Sequence, residues 1–449
     1  MARLIALLAV LAGAPLLVWP AWLNGYPLVF IDTVSYLLHT TQPEVPWDKT
    51  QAYGPFLHLF HWQRSLWAPM LVQGVLASHL IWLTQGALRG RPHPGWHLLV
   101  CAGLGLLSSA PWFLATLMPD ALTGLVPLGL FLLAFGRLRL GQSLWVGGIT
   151  VLAIAVHLSH LPMALSLLAL ILLLTWRFGP VLRAALPVAL AVLLLCTANH
   201  VAFGRFTLSP HGAAFLLARL QADGPAAALL RDRCPGASWH LCAFTDRLPM
   251  DSDTFLWDET SPLNREADGQ LRPMGAMRGA AEAREIISAT LAAYPTEVAL
   301  AGLRNMMTQL GLMRVGDTLV PDHLTASARR AIAGHFPAEE LAQFDTGAQM
   351  RGALPALAAP WLSPHLPVLA VALVAALWLG WRAARAGDRQ RLALLGFVLV
   401  ALLANAAVAG ALSKPHHRYQ ARIIWLLPLA VALVAIPRRA EAHTSGPVA

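Results

Sequence analysis

The chain has 449 residues, of which 57% are hydrophobic and only 12% charged. A soluble chain normally carries about a quarter charged residues, so half that density leaves most of the surface facing something other than water. The formal charge is +9, but the arginines fall in short clusters between apolar stretches. No continuous basic stripe exists, which excludes nucleic acid as the partner and suits the positive-inside rule of membrane proteins.

The chain opens with an apolar run behind Arg3, over residues 1–23. It is long for a signal-peptide core, and Pro20, Trp22 and Asn24 make no small-x-small cleavage site, so it reads as an uncleaved first helix. Further runs long enough to span about 30 Å of hydrocarbon fall near 67–88, 97–117, 121–136, 143–158, 161–176, 184–203, 361–381, 391–412 and 421–437. The fourth, fifth and sixth of these ten are short, as tilted, shallow or re-entrant segments would be.

The expected fold class is therefore an all-α polytopic membrane protein of about ten transmembrane helices. Residues 1–203 form a seven-helix membrane module with a first exterior loop at 24–66. An exterior, mainly helical insert follows at 204–360, then a three-helix module at 361–437 and a short polar, disordered tail at 438–449.

Orientation follows from arginine placement. One set of helix junctions holds Arg3, Arg89, Arg91, Arg137, Arg139, Arg177, Arg183, Arg382, Arg385, Arg389, Arg391, Arg438 and Arg439. The alternate short junctions hold only Lys414 and Arg418. Thirteen against two puts both termini in the cytoplasm and the loop 24–66 and the insert outside. The expected location is a bacterial inner membrane.

The insert gathers most of the acids and has amphipathic stretches at Ala213–Leu220 and Ala280–Leu300. In the second, Ile286, Ile287, Leu291 and Val298 recur among charges as on a surface helix. Cys234 and Cys242, eight apart in an oxidising compartment, read as a disulfide. One nearby His240 is too few further ligands for zinc. Cys101 and Cys196 lie inside apolar spans, as small hydrophobes.

Candidate chemistry collects in the exterior junctions. Asp32 follows the first helix and is either an N-cap of Thr33–His39 or a carboxylate at the mouth of a cavity. Asp120 stands in the next exterior hairpin behind Pro119. It is either an ordinary helix start or a costly ionisable group at membrane depth. His157 and His160, three apart, share a helical face and suit metal binding, proton transfer or a polar cap. The chain's two lysines, Lys49 and Lys414, both fall in exterior loops, where a compact ammonium has a use that arginine does not serve. The turn Ser413–Gln420 is the densest polar cluster near a membrane face. Lys414, Arg418 and Arg422 around a helix N-terminus suit a phosphate or diphosphate, with snorkelling to lipid headgroups as the plain alternative.

Together these features resemble the C-type (GT-C) superfamily of membrane glycosyltransferases, which use polyprenyl-phosphate sugars. The resemblance lies in Asp32 after helix 1, in Asp120 in the next exterior loop and in Arg418-Tyr419 entering a late helix. Thr33 follows Asp32, so the doubled acid of several subfamilies is absent, as is the Trp-Trp-Asp signature. Those departures leave the sugar, the acceptor and any divalent metal open.

The resemblance implies Asp32 as general base and Asp120 orienting the acceptor, Lys49 or a metal. It implies Lys414, Arg418, Tyr419 and Arg422 on the donor phosphate, with Lys49, His157 and His160 in support. The partners would be a polyprenyl-phosphate sugar, membrane lipids and an envelope glycan, lipid or protein acceptor. The competing readings are a transporter or flippase for a lipid-linked substrate, and a non-catalytic envelope assembly protein. No internal repeat of the kind transporters carry is present.

Overall fold

The computed structural model describes residues 1–42 and 45–437. The predicted tail 438–449, with Arg438 and Arg439, lies outside the described residues. Every regular element among those described is a helix, and β pairing is limited to isolated bridges, Leu28 with Thr116 and Arg265 with Leu271. The chain is an all-α membrane protein.

Among the described residues five helices are long and apolar enough to cross a membrane: Trp67–Arg89, Phe178–Phe203, Leu354–Arg385, Arg389–Leu412 and His417–Ala435. The remaining predicted spans fall on shorter apolar helices, including Pro94–Leu107, Pro119–Phe135, Leu140–Ala155 and His160–Thr175. Local chemistry explains the breaks. The run predicted at 97–117 ends early because Ser108 turns extended and donates its hydroxyl back to Leu104 O (2.7 Å). Pro111 then starts the separate short helix Ala110–Leu114.

The first helix, Ala2–Val18, packs against Trp67–Arg89 and Pro94–Leu107. A Cβ at Gly105 would stand 2.3 Å from Leu16 O, so only glycine admits this approach, and Trp19 Nε1 donates to Gly105 O (2.8 Å) across it. Arginines gather at one end of the bundle. There Arg89 Nε donates to Pro437 O (3.0 Å) and Arg391 Nη2 to Ile436 O (2.9 Å). The acids and histidines singled out above lie at the other end of the same helices.

The segment 204–360 contains two packing units. Residues from Ala214 to Ile287 bury their own apolar core, with Leu217, Leu230, Phe255 and Ile286 at its centre. Cys234 and Cys242 are joined beside it, with Cα atoms 5.3 Å apart. The later part, with Leu319, Leu324, Ile332, Phe336 and Phe344, packs into the main membrane core.

Two buried side chains clamp that later part to the first loop. Glu340 accepts from Tyr26 OH (2.8 Å) and Leu66 N (2.7 Å), and Gln349 bonds both the N–H and the carbonyl of Val29. The amphipathic stretch predicted over 280–300 is two helices, Ala280–Ala293 and Pro295–Gly311, bent by 101°. Pro295 cannot donate to the first helix and restricts Tyr294 before it, which forces the break. Ile286 and Ile287 are buried as the pattern required, but Leu291 is exposed.

Candidate active site

A backbone tie first brings the two acidic loops together. Leu28 N donates to Ala115 O (3.0 Å) and Leu117 N to Leu28 O (2.8 Å). Thr33 finishes the tie, its hydroxyl accepting from Phe30 N (2.9 Å) and donating to Leu117 O (3.1 Å). Thr33 rather than Asp32 thus supplies the local bond of this turn. Asp32 occupies the N-cap position of Thr33–Thr41 but makes no side-chain cap bond, which corrects the N-cap reading.

The Asp32 carboxylate turns instead towards cations. Its Oδ1 lies 3.0 Å from Lys49 Nζ and its Oδ2 3.7 Å from Arg418 Nη1, with the side chain still 30% exposed. Lys49 sits between Asp32 and Asp48, the latter 2.5 Å away. Burial disfavours its ammonium, yet the two carboxylates more than offset that and hold the pKa above the ordinary lysine value.

Asp120 has a different environment. It lies in the short 3₁₀ turn Pro119–Leu122 with its side chain 3% exposed, and Arg422 Nη1 donates to it at 2.9 Å. Arg422 is itself 1% exposed and also donates to Ser159 Oγ and Asn405 Oδ1, both at 3.0 Å. Asn405 Nδ2 in turn donates to Tyr419 O (2.7 Å), setting the start of the last helix. The expected roles therefore change. Asp120 does not orient Lys49, and Arg422 spends its charge on Asp120; together they are a buried strut beneath the site.

Arg418 is the second cation facing Asp32, after Lys49. Its guanidinium lies over the Phe30 ring at 4.4 Å and near the Tyr419 ring at 5.1 Å. Nη2 reaches Tyr419 OH only at 3.5 Å, and Nη1 is buried without a hydrogen bond. Lys414 is turned away towards the insert, 2.7 Å from Asp251 and 3.2 Å from Asp253, where His416 also meets Asp253 at 3.3 Å. The expected phosphate cluster is thus divided: Arg418 and Tyr419 stay with Asp32, while Lys414 latches the insert.

His157 and His160 stack at 5.2 Å between centroids. His160 has both ring nitrogens engaged, Nδ1 with Ala153 O (2.6 Å) and Nε2 with Thr123 Oγ1 (2.9 Å), so the carbonyl fixes the proton on Nδ1. Neither nitrogen is open to a metal. His157 Nδ1 pairs with Ser159 Oγ (2.7 Å), next to Arg422. Among the described residues no group of three or more His, Cys, Asp or Glu side chains could hold a metal ion, so the divalent metal left open by the sequence has no ready ligand set.

Three participants escaped the sequence reading. Asp48 is the second partner of Lys49, Asn405 positions Arg422, and Tyr36 stands buried beside the acids. The Tyr36 phenol is pushed well up by burial and then by Asp32, Asp120 and Asp48. An Asp-Lys doublet or an Asn inside an apolar helix carries no distinctive spacing; only the polar exception in the apolar run around Asn405 was readable. Compared with known proteins, no family model, no curated protein and no solved structure matches the chain.

Proposed function

We propose that this chain is a C-type membrane glycosyltransferase, moving a sugar from a polyprenyl-phosphate donor to an envelope acceptor with Asp32 as general base. The observation that carries the reading is the pairing of two under-used charges. Asp32 is a carboxylate with its side chain 30% exposed, and Arg418 opposite it is a largely covered guanidinium whose buried Nη1 is unfilled, 3.7 Å away. A phosphate entering here would replace this loose contact, taking the unfilled Nη1 for itself and freeing the carboxylate to accept from a hydroxyl.

The chemistry then balances. Asp32 accepts the proton of the acceptor hydroxyl as that oxygen bonds the anomeric carbon. The bond from that carbon to the phosphate oxygen breaks, and its electron pair leaves with the phosphate. Arg418, with Lys49 beside it, stabilises the charge developing there, which in such transfers is the largest electrostatic task. Arg418 stacked on Phe30 is already oriented, so little is lost on binding.

The finer architecture belongs to the same proposal. Each of the ten apolar runs coincides with a helix or a broken helix, in keeping with ten membrane passes, some interrupted. The segregation of Arg89 and Arg391 from Asp32 and Asp120 favours cytoplasmic termini and an outward-facing site in a bacterial inner membrane.

The test is the purified protein in proteoliposomes with polyprenyl-phosphate sugars and an envelope-lipid extract as acceptor. Wild type is expected to transfer sugar, and Asp32→Asn to lose at least about a hundredfold in rate, the scale of general-base catalysis, while folding normally. Movement of the lipid-linked sugar across the bilayer without transfer would replace this reading with a flippase.

A further inference from the structure

We propose that Trp47 and Trp257 form the rim of a saccharide-binding subsite beside Asp32, which takes a neutral sugar ring of the acceptor. This rests on the glycosyl-transfer reading and adds to it the chemical class of the second substrate.

The rim follows from a closed circuit of contacts. Lys49 bonds Asp32, and two residues before it Trp47 leaves the first loop. Its ring meets two insert rings, Trp257 at 5.8 Å and Phe215 at 5.9 Å, which lie 6.0 Å from each other. Trp257 is four residues after Asp253 on the helix Ser252–Trp257, so both side chains share one face. Asp253 holds Lys414 and His416, and the His416 ring lies 5.5 Å from Tyr419. Arg418 then returns the circuit to Asp32. Indoles and hydrogen-bonding charges thus share one boundary, built by the first loop, the insert and the last junction.

Rings used only to join two surfaces would be buried. On the same helix Phe255 and Leu256 fill the insert's own core, at 0% and 7% exposure, whereas Trp257 keeps 51% of its surface open. The open indole borders carboxylates that already hold cations, Asp48 with Lys49 and Asp251 and Asp253 with Lys414, so no uncompensated positive charge calls for an anion there. It is equally poor for a lipid tail, which would strip water from those ion pairs and offer them no hydrogen bond in return. A sugar ring fits both halves. Its C–H face lies on the negative face of an indole, and its peripheral hydroxyls donate to carboxylates.

The experiment uses the full-length protein in nanodiscs. Methyl glycosides of glucose, galactose, mannose and arabinose serve as probes in saturation-transfer NMR, alongside the proteoliposome transfer assay. At least one glycoside is expected to give ring C–H signals that fall tenfold or more in Trp257→Ala and in Trp47→Ala, and persist in Trp257→Phe. In the transfer assay Trp257→Ala should raise the acceptor KM at least tenfold and leave the donor KM within twofold. No glycoside signal from wild type, or equal signals from wild type and Trp257→Ala, overturns the subsite. Glycoside binding without sugar transfer from any donor would leave the rim standing and sink the transferase reading. Transfer with an unchanged acceptor KM in Trp257→Ala would do the reverse.

Discussion

Asp120 and Arg422, 302 positions apart in the chain, meet at 2.9 Å with their side chains 3% and 1% exposed. Removing one partner of such a pair leaves an unpaired buried charge, which costs about 3–5 kcal/mol. Asp120→Ala is therefore expected to lower the melting temperature of the detergent-solubilised protein sharply. Asp120→Leu combined with Arg422→Met should recover much of that loss. A single variant that melts like wild type would contradict the strut.

Arg418 faces the opposite demand, since its guanidinium has spare hydrogen-bonding capacity. Arg418→Ala is expected to cut kcat/KM for the lipid-linked donor by about a hundredfold or more, the scale of one lost transition-state donor. Arg418→Lys should restore little, because an ammonium cannot reproduce the planar fork over Phe30. Steady-state kinetics with varied donor decides this, and full activity in the lysine variant would show that a point charge suffices.

His61 supplies a pH dependence. The ring is 1% exposed, packs 5.1 Å from Phe336 and accepts from Gln63 N at 2.8 Å. Burial first, and His58 second, lower its pKa from 6.5 to about 4. The folded value lies below the unfolded one, so the folded chain binds fewer protons between them. The stability owed to neutral His61 is complete above about pH 6.5 and is lost as the pH falls towards 4. Melting temperatures should drop across that window, and His61→Asn should flatten the slope; an unchanged slope would assign it to other groups.

Glu340 carries the docking of the later insert onto the first loop. Glu340→Ala orphans Tyr26 OH and Leu66 N at once, with an expected loss of about 2–4 kcal/mol. Glu340→Gln keeps an accepting oxygen for both and should lose far less. Thermal melting compares the two, and equal losses would mean that the charge, not the bonds, matters here.

Much of the framework was legible in the residues. Each apolar run lies on helix and Cys234 meets Cys242, but besides the three runs flagged as short, the first and third also fall on short helices, Arg3–Val18 and Pro94–Leu107. These are local properties: transfer of some twenty apolar side chains, or closure of a loop of eight, is decided within the segment itself. The break at Tyr294–Pro295 was also within reach, because proline acts on its own neighbours, yet apolar spacing alone carried the prediction through it.

The site was legible only as an inventory. Asp32, Asp120, Lys49, Lys414, Arg418 and Arg422 could all be singled out as charges near a membrane face. Which acid takes which cation could not be read from them, because partners are chosen by a few ångströms of space between segments hundreds of residues apart. Coulomb energy falls with distance and rises as water is removed, and both are set by packing. The tertiary structure therefore decided that Arg422 is consumed by Asp120, that Lys414 goes to the insert, and that Asp32 and Arg418 are left facing each other.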